Sequence, residues 1–319
     1  LSRHRQCCGV TQPRCSGEMP HGLALRLLLS CLVDSDHNDT AICDGELDAR
    51  QAPTPDWHAI AHALDVYVSS LAGDESQKND LRRDFYIGAA NSTFDERMIS
   101  CEAGVGLGKT TSVTRHLLNY ARSEGLRHLF IVAPYTNILR QSAKTLKRAL
   151  GGLCTDDLLC ENHHRAEFEN VSSRQYSSLW KAPITLTTTV QFFETLASSR
   201  PANLRKLHEL PGSVIFIDET HAALPAMMWP LAWRWLKVLT EEWKCRVVFA
   251  SGSMIRFWQD ETIIKPCVQL PELTPVSVMS NNKGLESCRL RIEKTSDSAL
   301  NCTSLSKRLA AHLEDGKTE

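Results

Sequence analysis

Between residues 98 and 250 the chain alternates short, β-rich apolar runs with stretches of helical periodicity, and this alternation restricts the fold more than any other feature. The runs cover residues 98–101, 129–133, 184–188, 214–217 and 247–250, with amphipathic stretches such as 110–123 and 137–150 between them. Nearly continuous apolar strands separated by helix-length crossovers predict an α/β fold, a parallel sheet covered by helices on both faces. Ligands of such sheets gather at the carboxyl ends of the strands. The residues that follow each run are therefore where chemistry is to be sought.

The first run leads into Cys101-Glu102-Ala103-Gly104-Val105-Gly106-Leu107-Gly108-Lys109-Thr110-Thr111. A glycine-rich loop between a strand and a helix has the context of a phosphate-binding P-loop. Glycines let backbone N–H groups turn inward around a phosphate, and the helix N-terminus adds a favourable dipole. Ala103, Gly104, Gly106, Gly108, Lys109, Thr110 and Thr111 are the expected nucleotide-binding set. Lys109 reaches the β- and γ-phosphates of ATP, and the Thr110 hydroxyl is a ligand for Mg²⁺.

The fourth run ends in Asp218-Glu219-Thr220-His221. Four apolar residues make a buried strand, and the two acids emerge at its carboxyl end. Asp218 is expected to hold the Mg²⁺ shell and Glu219 to act as general base toward water. An Asp-Glu pair after a strand is by itself often only a solvated strand end. Its value comes from sharing an edge with the glycine-rich loop.

Three weaker elements fall on the same edge. Pro134-Tyr135-Thr136 ends the second run, Thr187-Thr188-Thr189 ends the third, and Ser251-Gly252-Ser253 ends the fifth. Hydroxyls, backbone N–H groups and helix N-termini suit the phosphates of a nucleic-acid strand without reading its bases. Taken singly, each is also ordinary turn or cap chemistry.

Composition adds limits. Thirty-six basic residues against 37 acidic ones leave a net charge of −1, so any nucleic-acid contact has to be a local patch. No run approaches the ~18 uninterrupted apolar residues of a membrane span, and the apolar stretch 23–33 lacks a cleavage site. A cytoplasmic protein with no membrane partner is expected. The 12 cysteines contain no Cys-x-x-Cys pair, and they read as scattered reduced thiols rather than a zinc site or disulfide framework. Ahead of the sheet region lie an irregular segment (1–20), an apolar helix at 23–32 running into Asp34, Asp36, Asp39 and Asp44, a Pro-rich linker at 50–56, and a helix at 57–71 stopped by Gly73.

In this order the motifs resemble motifs I, Ia, Ib, II (DExH) and III of superfamily 2 helicases: residues 103–110, 134–136, 187–189, 218–221 and 251–253 in turn. Two longer stretches narrow the resemblance to the helicase–nuclease of type I CRISPR systems. Residues 130–141, Phe-Ile-Val-Ala-Pro-Tyr-Thr-Asn-Ile-Leu-Arg-Gln, look like the strand and helix after the phosphate loop in that family. Residues 26–36 look like the closing helix of its histidine–aspartate (HD) nuclease domain.

The resemblance implies a RecA-like P-loop domain preceded by an α-helical remnant of an HD domain. The expected division is 1–50 as HD remnant, 51–94 as helical linker, 95–274 as first RecA-like domain and 275–319 as the start of a second, with a strand at 290–292 and a helix at 304–313. It further implies an ATP-dependent DNA helicase or translocase motor of antiviral defence. That motor is recruited by a CRISPR surveillance complex and feeds single-stranded DNA to a metal-dependent nuclease. His221, Ser251 and Ser253 then couple the nucleotide to the DNA side, and Pro134, Tyr135, Thr136, Thr188 and Thr189 contact DNA. Asp34 matches one nuclease metal ligand. The others have no counterpart, since His4 and His21 do not restore the pattern. The chain reads as a piece lacking both ends of the family's architecture, expected to bind ATP but to hydrolyse it little and not to cut DNA alone. Glu161-Asn162-His163-His164 is read as structural or DNA-facing rather than metal-binding. Two other readings stay open: a restriction or repair motor of superfamily 2, and a nucleotide-dependent DNA-binding module without motor activity.

Overall fold

A computed structural model describes residues 22–43, 54–71, 77–162 and 179–289, for residues 41, 42 and 283–289 as helical backbone only. The chain divides into two compact units, Leu1–Ser280 and Asn281–Glu319. Of the second, only the end of one helix lies within the described residues. The segment 1–20, His21, Asp44, Gly73, His163, His164, the strand at 290–292 and the helix at 304–313 lie outside them.

The first unit is built on six strands: β1 (Met98–Glu102), β2 (His128–Ala133), β3 (Leu159–Asn162), β4 (Ile184–Thr188), β5 (Ser213–Ile217) and β6 (Arg246–Ser251). All pairings are parallel, in the order β1-β6-β5-β2-β4-β3. The five strands read from the sequence are present within a residue or two at each end. The edge strand β3 was not foreseen, because Leu159 and Cys160 are its only apolar residues and Glu161 follows at once.

The helices are α1 (Gly22–Cys43), α2 (Trp57–Ser70), α3 (Gln77–Asn91), α4 (Lys109–Ser123), α5 (Thr136–Leu150), α6 (Thr189–Ala197), the short α7 (Pro201–Leu204) and α8 (Thr220–Ala223), α9 (Trp229–Glu241) and α10 (Val276–Arg289). Strand side chains alternate between faces. Phe130 and Val132, Ile215 and Ile217, and Val247 and Phe249 point into a core with Phe192 of α6 and Trp233 and Leu236 of α9. The other face carries α4 and α5. Phe216 and Phe249 are fully buried, and truncating either to alanine would cost about 3–5 kcal/mol.

Helix α1 extends beyond the expected 23–32 and runs through the acidic cluster to Cys43. Residues 22–43 contain no proline, and glycine only at the first position, so nothing breaks the helix earlier. Its buried stripe is Leu23, Ser30 and Asp34 with Leu27 partly buried, while Leu25, Leu28 and Leu32 are exposed. The apolar run is thus not the packed face. Among the described residues no helix is long and apolar enough to cross a membrane, and Cys31, Cys43, Cys101, Cys154, Cys160, Cys245 and Cys267 are free thiols.

Beyond β6 the chain returns along the free edge of β1. The Ser100 N–H donates to Pro271 O at 2.8 Å, and the Leu273 N–H donates to Ser100 O at 2.7 Å. This covers an edge that would otherwise leave backbone groups unpaired.

Candidate nucleotide site

Strand β6 lies between β1 and β5, so the loop after β1 and the acids after β5 are separated by one strand on the same edge. The loop 103–108 turns through Gly106 (φ 78°) and Gly108 (φ 80°), values that side-chain-bearing residues rarely adopt. Gly108 is the N-cap of α4, and its carbonyl accepts from the Ser112 N–H at 3.0 Å and from the Thr111 hydroxyl at 2.8 Å. Ala103 is buried and its N–H donates to Ser251 O at 3.2 Å, joining the loop to β6. Thr110 is half-buried in the first turn of α4.

Lys109 Nζ lies 3.1 Å from Asp218 Oδ1 and 2.8 Å from Glu219 Oε1. Burial lowers the lysine pKa, but Asp218 and then Glu219 outweigh it, and the net shift is upward. Asp218 is buried; the loss of solvent raises its pKa, Lys109 opposes this, and Glu219 adds to the rise. Glu219 itself has a left-handed backbone (φ 48°), a conformation of the kind that gathers at functional sites. Its N–H donates to Asp218 Oδ1 at 2.9 Å.

Ser251, at the end of strand β6 between β1 and β5, joins the remaining residues. His221 Nδ1 lies 2.8 Å from its hydroxyl, which is 3.4 Å from Glu219 Oε2 and accepts the Ser253 N–H at 3.1 Å. The Thr220 hydroxyl donates to Ala250 O at 3.1 Å and Ile217 O at 3.2 Å, pinning the turn after β5 to β6. A chemically coherent arrangement results: one cation, two carboxylates, and a hydroxyl–imidazole relay leading away from them.

The residues expected to face DNA lie together on the neighbouring strands, with Ala133 of β2 paired to Thr188 of β4. Tyr135 precedes α5 and is 57% exposed, with Pro134 and Thr136 half-buried beside it. The Thr188 hydroxyl accepts the Gln191 N–H and caps α6. Thr189 is buried, so it is enclosed rather than offered at the surface.

Asp34 sits elsewhere. It is buried against Arg205 (3.1 Å), His208 (3.7 Å) and Lys181 (3.9 Å). Arg205 and Lys181 are cations rather than fellow ligands, and no group of three or more metal-ligating side chains occurs among the described residues. Lys147 pairs with Glu161 at 2.9 Å, which gives that residue a structural partner.

Sequence reading missed one contact to the loop. The Arg82 Nε–H of α3 donates to Gly106 O at 2.6 Å. No pattern marks that arginine, 24 residues upstream of the glycine it touches.

No protein-family model matches the chain. It is 29% identical over 178 residues to the CRISPR-associated nuclease/helicase Cas3 of Haloferax volcanii, a match covering 49% of this chain and 19% of that protein. The chain thus spans about a fifth of the length of that relative. Among solved structures, T. fusca Cas3-AMPPNP superposes with a TM-score of 0.50 at 17% identity, covering 83% of this chain and 34% of that one. The UvsW helicase of bacteriophage T4 gives a TM-score of 0.38 at 14% identity, covering 60% of this chain and 59% of that one. In sequence over about half of its length, and in fold, the chain is therefore similar to Cas3, with an all-parallel α/β sheet.

Proposed function

We propose that this chain is the ATP-binding part of a DNA-stimulated helicase or translocase motor of the kind found in CRISPR helicase–nucleases. The observation that carries the reading is the meeting of Lys109 with Asp218 and Glu219 at 3.1 and 2.8 Å, beneath a glycine turn whose backbone opens on the same edge. The curated relative is a nuclease/helicase and the T. fusca structure is a Cas3-AMPPNP form. A nucleotide comes to this chain from them as a proposal, whereas single-stranded DNA and a CRISPR surveillance complex are proposed from the resemblance of the motifs.

The residues fit a magnesium nucleotide. Lys109 is a half-buried cation already matched to anions, the loop supplies glycines at positive φ, and Asp218 and Thr110 are oxygen donors of the type Mg²⁺ takes. Bound Mg²⁺ would neutralise charge on the phosphate oxygens. Lys109 exchanges its carboxylate partners for phosphate oxygens. Glu219, released from the lysine, takes the proton of the attacking water. His221, held by Ser251, carries the change at Glu219 toward the strand ends that bear Tyr135 and Thr188. Those ends offer hydroxyls and backbone N–H groups to a DNA backbone. Asp34, with Arg205 and Lys181 beside it, is proposed to hold no metal, and the chain to cut no DNA of its own, whereas a nuclease centre in relatives would use divalent metal.

The test is Mg²⁺-dependent ATP binding and hydrolysis by the whole chain, with and without single-stranded DNA, beside Lys109→Ala. Binding that disappears in Lys109→Ala supports the reading, and DNA-stimulated turnover extends it to a motor. Failure of the wild-type chain to bind ATP rejects it. Metal-dependent cutting of single-stranded DNA by purified chain would overturn the assignment of no nuclease activity.

A further inference from the structure

We infer that Arg82 is a positioning residue for the phosphate loop, acting from outside it through the Gly106 carbonyl; the inference rests on the nucleotide reading of that loop. The Arg82 Nε–H donates to Gly106 O at 2.6 Å, and Nη1 donates to Asn79 Oδ1 at 2.8 Å, one turn earlier on α3. A peptide unit is planar and rigid. Fixing the Gly106 carbonyl toward Arg82 therefore also fixes the Leu107 N–H, which points back across the turn to Gly104 O at 3.3 Å. Gly106 stands at φ 78°, where a turn without an outside anchor has several accessible conformations.

A second cation lies on the same peptide. A Cβ built at Gly106 would stand 3.1 Å from Lys78 Nζ and 3.6 Å from Arg82 Nη2. Two positive groups thus flank the tip of a loop whose inner face is to receive phosphate. Their field adds to that of the α4 N-terminus without occupying the phosphate site.

Helix α3 is held rigidly enough to act as an anchor. The Tyr86 hydroxyl donates to Asp65 Oδ1 of α2 at 2.7 Å, and the same oxygen accepts from Arg115 Nε of α4 at 2.8 Å. Asn119 Nδ2 donates to Ala90 O at 2.6 Å, and His116 Nδ1 lies 3.0 Å from Ala89 O. Phe85 and Ala89 are fully buried. Helices α3 and α4 are therefore one body. A contact from α3 to the loop sets the loop relative to the helix whose first residue is Lys109. Loop geometry held before the nucleotide arrives reduces the ordering that binding requires.

The experiment uses the whole chain and titrates Mg²⁺·ATP into wild type, Arg82→Ala, Arg82→Lys and Lys109→Ala, with thermal midpoints measured without nucleotide. Loss of one charged hydrogen bond predicts about tenfold weaker binding for Arg82→Ala. Arg82 is exposed, so its midpoint should stay at the wild-type value. Arg82→Lys should recover part of the affinity, because an ammonium can still donate to the Gly106 carbonyl. Wild-type affinity in Arg82→Ala, with Lys109→Ala unable to bind, overturns the inference and leaves the nucleotide reading intact. Weak binding with a lowered midpoint and no recovery by lysine also overturns it, as a general structural effect. A wild-type chain that binds no ATP removes the nucleotide reading itself.

Discussion

Lys109 Nζ lies 2.8 Å from Glu219 Oε1, so the loop lysine is held by the carboxylate that is to serve as the base. The two roles exclude each other: a glutamate oxygen occupied by lysine is not open to a water, and a lysine paired with glutamate is not free for phosphate. Nucleotide binding must separate them. Glu219→Gln removes the charge while keeping a hydrogen-bonding side chain of the same shape. It should bind Mg²⁺·ATP more tightly than wild type, and any turnover should fall by about 10²–10⁴, the usual contribution of a general base. Equilibrium titration and steady-state hydrolysis read the two effects. Weaker binding with unchanged turnover would remove Glu219 from both roles.

Ser251 gives the second prediction. Its hydroxyl is shared by His221, Glu219 and the Ser253 N–H. Ser251→Ala deletes that junction and nothing larger, and a net loss of about 1 kcal/mol of stability is expected. The informative readout is coupling, the ratio of turnover with and without single-stranded DNA. That ratio should fall toward one in Ser251→Ala. An unchanged ratio would mean that His221 communicates by another route.

The sheet and the heart of the site were legible because each is written locally. A parallel strand buried on both faces, such as 214–217, must be apolar throughout, and a tight turn such as 103–108 needs glycine where φ is positive, as at Gly106 and Gly108. Those demands leave marks in adjacent residues. The unread parts depend on pairs distant in sequence. Strand β3 is defined by its register against β4, not by its four residues. The packed face of α1 is set by Arg205 and His208, more than 160 residues away, which is why polar Ser30 and Asp34 are buried while Leu28 and Leu32 face outward. Arg82 follows the same logic: its partner is a carbonyl oxygen, and carbonyls have no sequence signature.

His116 provides a pH prediction. It is fully buried between Phe94 and Tyr120, Nε2 lacks a hydrogen-bond partner, and burial lowers its pKa from 6.5 to about 4, with Arg246 adding to the fall and the Ala89 carbonyl opposing it. The unfolded chain then takes up a proton near pH 6.5 that the folded chain refuses until about pH 4. Stability from this residue is fully present above pH 6.5 and is lost as the pH falls through that window, by about 3 kcal/mol in all. Urea midpoints at pH 7 and pH 5 should differ for wild type. In His116→Phe, which keeps a ring against Tyr120 but cannot titrate, that part of the difference should vanish. An equal difference in both proteins would place the acid sensitivity elsewhere.

Asp34 separates a tether from a metal ligand. Helix α1 is joined to the segment around α7 by Arg26, which donates to Leu196 O, by the Ser30 hydroxyl, which donates to Leu204 O, and by Asp34 with Arg205, His208 and Lys181. The aspartate is buried but Arg205 and Lys181 keep partial contact with solvent, which weakens the pairing. Removing it as Asp34→Ala should destabilise the chain by about 1–3 kcal/mol and speed amide exchange in α1 before any other described helix. A ligand role predicts something different: Mn²⁺ would raise the thermal midpoint of wild type and leave that of Asp34→Asn unmoved. With Arg205 and Lys181 already around the carboxylate, a divalent ion meets repulsion as well as competition. Mn²⁺ should therefore shift neither protein, and a wild-type shift that Asp34→Asn abolishes would return the residue to a metal centre.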